Sequence, residues 1–240
     1  MILKNIYLLI LNRVNPPVMY TDDFIDWLLR ANAGMQHRGN IYSFKYAIDH
    51  LVSDHPVVEI GSFCGLSTNI IAYLLKKAGR KNQFITADKF VYQGHNDEEV
   101  IIGDSHISHK DIRKYIKESF IRNIKTFNPD RLPSTIEENS DEFFTLWEKN
   151  AETTDVLNRK IKLGGKISFC YVDGNHAYEF VKRDFLNVDK YLEKGGFVLF
   201  DDSYEPVFVD GPKLMKEIMK NSNYELVMKN PNYLFRKRQD

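Results

Sequence analysis

The chain has 240 residues, a length that fits one large α/β domain and disfavours a tandem array of domains. Hydrophobic residues make up 43% of it, too many for a chain that is disordered throughout. Lys plus Arg and Asp plus Glu both number 33, so the net charge is zero, no long-range field attracts phosphate backbones, and nucleic acid is excluded as an expected partner.

The first eleven residues are mostly apolar, but they do not have the pattern of a leader or a membrane span. Lys4 and Asn5 interrupt the run, no small-residue cleavage site follows, and a span needs ~20 apolar residues. We interpret the segment as a packing helix or strand, with an interfacial anchor as the alternative and a homo-oligomer left open. Because Cys64 and Cys170 both lie in apolar runs, we predict reduced thiols and a cytoplasmic protein.

Residues 20–51 have helical periodicity and many aromatic side chains. Residues 34–40 interrupt this pattern with several turn formers, which are unfavourable inside a helix. We therefore predict a helical N-terminal cap over residues 1–52, followed by the main domain over residues 53–240.

In the main domain, short apolar runs alternate with longer helical segments, the pattern of βα units in a parallel sheet. Strands are predicted at 57–60, 84–87, 135–137, 167–172 and 197–200, and helices at 66–77, 111–126, 141–150 and 177–192. Gly195 and Gly196 should end the last helix as a left-handed cap. Residues 224–228 and 233–236 are β-like runs around a turn, so they predict a C-terminal antiparallel hairpin.

Residues 89–110 are polar and predict a lid inserted over the carboxyl edge of the sheet. They include His95, His106 and His109, whose spacing permits a metal site. Polar lids also carry histidines without a function, and we favour that interpretation.

A first candidate site follows the first predicted strand, in the segment Glu59-Ile-Gly-Ser-Phe-Cys-Gly-Leu-Ser. Gly61 and Gly65 favour tight backbone conformations and close approach of a ligand, and the helix start beyond them offers N–H groups to a carboxylate. A dinucleotide fingerprint needs glycine where this chain has Phe63 and Leu66, so a pyrophosphate is a poor match.

Two acidic residues indicate what the first site binds. Glu59 would repel a phosphate but suits a ligand with an ammonium or sulfonium charge. Asp88 ends the second predicted strand, where a carboxylate can accept both hydroxyls of a ribose. Together they predict a nucleoside with a positively charged tail, beyond the carboxyl ends of the strands.

A second candidate site lies at the ends of two later strands. Asp173 ends one, Asp201 and Asp202 end the next, and neighbouring strands are only ~4.8 Å apart. Three anions this close repel one another unless they are protonated or bridged by a hard cation. The triad therefore predicts an Mg²⁺ site, with Mn²⁺ or Ca²⁺ as substitutes, and nearby His176 is a candidate general base.

The segment 59–67, together with Ile-Thr-Ala-Asp at 85–88, resembles the cofactor signature of class I S-adenosylmethionine-dependent O-methyltransferases. The resemblance covers roughly residues 57–236 and is strongest to the metal-dependent catechol and macrolide-sugar branch. It implies a Rossmann-like α/β methyltransferase sheet and S-adenosylmethionine as cofactor. The cofactor-contacting residues implied are Glu59, Gly61, Ser62, Phe63, Gly65, Ser67, Asp88, Ser140, Asp141 and Asp173.

Within this set, Ser140 and Asp141 would lie at the adenine edge. A serine before an acidic first turn is also what an ordinary helix N-terminus looks like, and that alternative stays open.

The segment Asp-Gly-Asn-His at 173–176, with Asp-Asp at 201–202, resembles the metal and base motifs of sugar and natural-product O-methyltransferases. In catechol-type relatives the position of His176 is lysine and that of Asp202 is asparagine, so catechol is disfavoured as the acceptor. We expect an Mg²⁺-dependent O-methyltransferase that acts on a hydroxyl of a sugar or glycosylated metabolite. The alternatives are a hydroxylase-type tailoring enzyme on the same scaffold and a non-catalytic cofactor-binding module.

Overall fold

The centre of the molecule consists of strands in which every residue is buried. They are β1 (Val57–Ile60), β2 (Phe84–Ala87), β3 (Ser134–Ile136) and β6 (Ile167–Val172). Parallel strands covered by helices on both faces require such continuous buried runs. The structure is a computed structural model that describes residues 16–91, 106–204 and 211–239.

The described residues form a seven-stranded sheet with the order β3-β2-β1-β6-β7-β9-β8. The strand β7 (Leu192–Phe200) continues the parallel part, whereas β9 (Tyr233–Lys237) runs antiparallel to both β7 and β8 (Tyr224–Lys229). The predicted parallel sheet with a C-terminal antiparallel hairpin is confirmed. The chain order reverses between β1 and β6, so a crevice for a ligand is expected at their carboxyl ends.

Helices cover both faces of this sheet. On one face α1 (Asp23–Ala31), α2 (Arg38–Asp49) and α3 (Leu66–Lys77) share a hydrophobic cluster with the strands. On the other face α5 (Ser140–Glu148), α6 (Tyr178–Tyr191) and α7 (Gly211–Lys220) do the same. The long helix α4 (His109–Phe127) packs beside α3. The site described below therefore rests on a sheet that is held from both sides.

A short antiparallel hairpin, formed by β4 (Glu152–Thr154) and β5 (Lys160–Lys162), lies outside the main sheet and was not predicted. Its strands are three residues long and largely exposed. Such a polar, short segment has no hydrophobic period from which a strand could be recognised.

The predicted glycine cap of α6 is wrong. The helix ends at Tyr191, and Leu192 is already extended, with φ −61° and ψ 122°. Gly195 does adopt a left-handed conformation, with φ 84°, but it lies inside β7 where the pairing with β6 shifts register. The glycine therefore serves an irregularity in a strand, a role that the sequence pattern does not distinguish from a helix cap.

The predicted interruption at residues 34–40 is too long at its C-terminal end. The helix begins at Arg38, so Gly39 and Asn40 belong to its first turn, and both are buried. A Cβ atom at Gly39 would lie 2.0 Å from the carbonyl oxygen of Asn230. The glycine thus lets the helix approach the turn between β8 and β9.

Several predictions fall on residues that the structure does not describe. They include the apolar segment 1–11 and the middle of the predicted lid, residues 92–105, with His95. No helix within the described ranges combines the length and the apolar character that a bilayer crossing requires. Both cysteines, Cys64 and Cys170, are buried free thiols, as predicted.

We predict that Gly39→Ala destabilises the protein by about 1–3 kcal/mol, because the new Cβ would overlap the Asn230 carbonyl. In a helix without a close neighbour, the same exchange normally stabilises by up to about 1 kcal/mol. Urea unfolding of the two proteins measures the difference. A gain in stability would mean that the helix does not approach the turn as the structure shows.

Candidate functional site

The turn after β1 contains two glycines in the left-handed region, Gly61 with φ 85° and Gly65 with φ 86°. A Cβ at Gly61 would lie 2.0 Å from the carbonyl oxygen of Asp173, and one at Gly65 would lie 3.1 Å from the ring of Phe120. Backbone conformation and neighbouring protein atoms therefore already account for both glycines. The same contact shows that the turn lies directly against the end of β6.

The carboxylate of Asp88 is bonded to this turn. It accepts hydrogen bonds from the backbone N–H groups of Ser62 (2.7 Å), Phe63 (2.7 Å) and Phe90 (2.6 Å). Burial raises the pKa of Asp88, and the three N–H donors oppose that rise. A carboxylate has about four acceptor positions, so one remains for another donor. The two parts of the predicted cofactor site, the turn and the acid of the second strand, are thus brought together.

Glu59 is completely buried and faces the start of α3. Its two carboxylate oxygens accept hydrogen bonds from the hydroxyls of Ser67 and Thr68, each at 2.5 Å. Burial raises the pKa of Glu59 to about 7, although the hydroxyl donors act in the opposite direction. Thr68 was not predicted as part of the site, although its hydroxyl follows Ser67 directly in the sequence.

The helix α3 begins at this turn, with Gly65 as its N-cap residue. No side chain in the described part of the protein caps that end. The first N–H groups of a helix have no partner inside the helix, and they favour an anion such as a carboxylate. The end of β1 therefore combines the buried side chain of Glu59 with a helix N-terminus that can bind the carboxylate of a ligand.

The second candidate site lies at the ends of β6 and β7, which are paired up to Val172 and Phe200. The next residues, Asp173 and Asp201, have side chains within hydrogen-bond contact of each other. Burial, followed by repulsion from Asp201, raises the pKa of Asp173 well above its usual range. Because two carboxyl groups can hydrogen-bond only through a proton, the raised pKa favours a pair that keeps one proton.

Asp201 is oriented by amide groups from two distant segments. Its Oδ1 accepts hydrogen bonds from the Nδ2 of Asn40 in α2 (2.5 Å) and of Asn232 before β9 (2.7 Å). The Oδ1 of Asn40 in turn accepts a hydrogen bond from Asn232 at 3.0 Å. Sequence reasoning missed both asparagines, because 161 positions separate Asn40 from its carboxylate.

His176 and Asp202 complete this group. The Nε2 of His176 lies 3.6 Å from Asp202 Oδ2 and 3.9 Å from Asp173 Oδ1. Asp202 has φ 46°, an uncommon conformation for a residue with a side chain. The four residues predicted for the second site are therefore neighbours in space.

Two further residues next to the acid pair were not predicted. The hydroxyl of Tyr171 is hydrogen-bonded to Asp173 and lies 3.4 Å from the Oε1 of Gln36. Tyr171 is buried, and the amide nitrogen of Gln36 is a buried donor without a hydrogen-bond partner in the described residues. The alternation of side chains in β6 could have identified Tyr171, since residues 171 and 173 share a face.

The structure does not show a metal centre. In the ranges that it describes, no group of three or more His, Cys, Asp or Glu residues is arranged to hold a metal ion, and this includes the acid triad, His106 and His109. Asp173 and Asp201 approach each other, whereas the third acid, Asp202, faces His176. Metal binding therefore stays a prediction.

The predicted adenine-side residues contact a different element. Asn139 is the N-cap of α5, and Ser140 is the first residue of the helix. The Ser140 hydroxyl is bonded to Asp184 in α6, while Asp141 accepts a hydrogen bond of 3.0 Å from Asn187 of the same helix. These side-chain contacts match the alternative interpretation, a helix N-terminus, and leave the adenine role untested.

Comparison with protein families gives a match to a model described as a methyltransferase domain, over residues 58–203. That range contains both candidate sites, from the end of β1 to the residues after β7. No curated protein matches the sequence.

Solved structures with a similar fold include three O-methyltransferases. One is from Bacillus cereus in complex with S-adenosylhomocysteine (12% identity, TM-score 0.56, 94% of this chain and 93% of the other covered). Another is the tomaymycin-synthesis enzyme from Streptomyces achromogenes with S-adenosylmethionine (11%, 0.58, 92% and 92%). The third is a TDP-rhamnose 3′-O-methyltransferase of calicheamicin biosynthesis (17%, 0.55, 98% and 93%). These likenesses confirm the predicted Rossmann-like methyltransferase fold.

The buried acid Glu59 predicts a specific pH dependence of stability. Because its pKa is about 7 in the folded protein and 4.5 for an ordinary glutamate, the folded state keeps a proton that the unfolded state releases. The contribution of Glu59 to stability therefore falls as pH rises from about 4.5 to about 7. We expect Glu59→Gln to gain about 1–3 kcal/mol relative to the parent protein over this range.

Urea unfolding at pH 5 and at pH 7.5 measures this difference. The exposed Glu118→Gln controls for the exchange itself. Equal pH dependence in the parent protein and Glu59→Gln would show that Glu59 does not keep its proton on folding.

Proposed function

The chain belongs to the methyltransferase-domain family, and on that premise we propose that it is an S-adenosylmethionine-dependent O-methyltransferase acting on a hydroxyl of a small polar acceptor. One observation carries this proposal. The glycine turn that would hold the methyl donor lies against the backbone of Asp173. The side chain of the same residue contacts Asp201 and lies near His176. This proximity supports a reaction in which the methyl donor and the acceptor bind side by side.

The methyl-donor site fits the chemistry of the residues around the turn. Glu59, once ionised, favours a sulfonium, and a cationic ligand favours that ionisation because the pKa of the carboxyl is about 7. The N-terminus of α3 favours a carboxylate, and Asp88 keeps one acceptor position for a ribose hydroxyl. The solved relatives from Bacillus cereus and Streptomyces achromogenes contain S-adenosylhomocysteine and S-adenosylmethionine. The proposed contacts are Glu59, Gly61, Ser62, Phe63, Gly65, Ser67, Asp88 and Asp173, with Ser140 and Asp141 at the adenine edge.

We assign the role of general base to His176. S-adenosylmethionine supplies an activated methyl group, which passes to the acceptor oxygen as its bond to sulfur breaks. The proton of the acceptor hydroxyl then goes to Nε2 of His176. Asp173 and Asp202, both within 4.0 Å of that nitrogen, stabilise the positive imidazolium that forms. The remaining rate enhancement comes from holding the two reactants in line.

We further propose that Mg²⁺, or Mn²⁺ or Ca²⁺ in its place, binds at Asp173, Asp201 and Asp202. The support is chemical: carboxylate oxygens are the preferred ligands of these ions, and the repulsion between Asp173 and Asp201 is relieved by a cation. A bound ion would supply a lowered pKa for an acceptor hydroxyl.

The acceptor class is proposed from the polar groups around the acid pair. Gln36, Tyr171 and His176 offer donors and acceptors for hydroxyl groups. One solved relative is named for methylation of TDP-rhamnose, a nucleotide sugar. We propose that the acceptor is a sugar or glycosylated metabolite, and that a cap at residues 1–52 and a lid at residues 89–110 cover it. We also propose that the enzyme is cytoplasmic and has no nucleic-acid partner. Whether it forms a homo-oligomer stays open.

Calorimetric titration with S-adenosylhomocysteine tests the proposal first, and absence of binding at millimolar concentration would contradict it. Transfer of a labelled methyl group from S-adenosylmethionine to a panel of nucleotide sugars tests the chemistry. We expect His176→Ala to lower this transfer by about 10²–10⁴-fold while S-adenosylhomocysteine binds as before. The exposed His55→Ala, before β1 at the opposite end of the strand, should leave both unchanged. Full activity of His176→Ala would assign the base elsewhere.

We expect methyl transfer to stop when EDTA removes divalent ions and to return when Mg²⁺ or Mn²⁺ is added, because the acid pair needs a cation to accept an alcohol oxygen. Direct Mn²⁺ titration, followed by electron paramagnetic resonance, should show one site that is lost in Asp201→Asn. Activity that is insensitive to EDTA would contradict the metal requirement and leave His176 as the group that activates the acceptor hydroxyl.

A further inference from the structure

One backbone carbonyl in the glycine turn accepts hydrogen bonds from two side chains. The oxygen of Cys64 accepts a hydrogen bond from Asn32 Nδ2 at 3.1 Å and another from Asn123 Nδ2 at 2.9 Å. Asn32 is the C-cap of α1, and Asn123 lies in α4. Three segments that are far apart in the sequence thus meet at a single peptide group.

Behind these two amides lies a network of further buried asparagines. Asn69 donates to Asn32 Oδ1 at 2.8 Å, and Asn128 donates to Asn69 Oδ1, also at 2.8 Å. All of these side chains are buried. Burying an amide is unfavourable unless it is hydrogen-bonded, so the network fixes the direction in which the amide of Asn32 points.

The orientation of the Cys64–Gly65 peptide follows from these bonds. Its oxygen points to the asparagines, while its N–H, on Gly65, donates to the carbonyl oxygen of Ser62 at 2.8 Å. Rotation of the peptide would break all three hydrogen bonds. It would also move a partly negative oxygen towards the N-terminus of α3, which begins at the next residue, Leu66.

We propose that Asn32 and Asn123 are positioning residues for the methyl donor. By holding the Cys64 carbonyl away from the N-terminus of α3, they ensure that only N–H groups face the carboxylate of the methyl donor. This inference rests on the proposed function, since it takes the N-terminus of α3 as the site for that carboxylate. The two asparagines act through the peptide and do not touch the ligand themselves.

The proposal predicts a selective loss of affinity. Asn32→Ala and Asn123→Ala should each weaken S-adenosylhomocysteine about tenfold, the effect of one lost hydrogen bond. Methylthioadenosine, which keeps the nucleoside and lacks the amino-acid end, should bind both variants within about twofold of the parent protein. Asn128→Ala is the graded comparison: Asn128 does not contact Cys64 and acts on Asn32 only through Asn69, so its loss of S-adenosylhomocysteine affinity should be smaller than that of either other variant.

Calorimetric titration of both ligands into the parent protein and the three variants, with melting temperatures, is the experiment. Equal weakening of both ligands, or none, would overturn the positioning role. If the alanine variants do not fold, Asn123→Asp has the same size but lacks the donor, and it should lose S-adenosylhomocysteine affinity at least as strongly. Failure of the parent protein itself to bind S-adenosylhomocysteine would instead refute the proposed function on which the inference rests.

Discussion

The structure depends on removing carboxylates from water at the carboxyl edge of the sheet and supplying each with hydrogen-bond donors. Glu59 is bonded to two hydroxyls, Asp88 to three backbone N–H groups, and Asp201 to two amides. An isolated buried carboxylate would cost several kcal/mol, so these donors are needed for the chain to fold with its acids at this edge. Asp173 has a donor in the hydroxyl of Tyr171, but burial and repulsion from Asp201 outweigh it.

The N-terminal helices belong to this arrangement. Asn32, where the connection between α1 and α2 begins, donates a hydrogen bond to the carbonyl of Cys64. Asn40, in the first turn of α2, donates one to the carboxylate of Asp201. Gln36, between them, contacts Tyr171. A segment of nine residues therefore touches both candidate sites. The same short segment thus contributes hydrogen bonds to the glycine turn and to the acid pair.

The sequence predicted those parts of the molecule that depend on local pattern. Buried strands have uninterrupted apolar runs, so β1 and β2 were found at their observed bounds, as was helix α3. The acids were grouped correctly because parallel strands end at one edge. What was missed depends on distant contacts: the amides at Asp201 come from α2 and from the turn before β9. Gly195 was predicted to end a helix but lies in a strand irregularity. A left-handed glycine occurs in both places, so the sequence alone does not distinguish them.

The raised pKa of Asp173 connects stability to the proposed chemistry. Asp173 is hydrogen-bonded to Tyr171, but burial and repulsion from Asp201 outweigh this donor, so ionising both aspartates carries a cost in the folded protein. A ligand that brings positive charge to this edge removes that cost, and the free energy released adds to its affinity and to the stability of the complex.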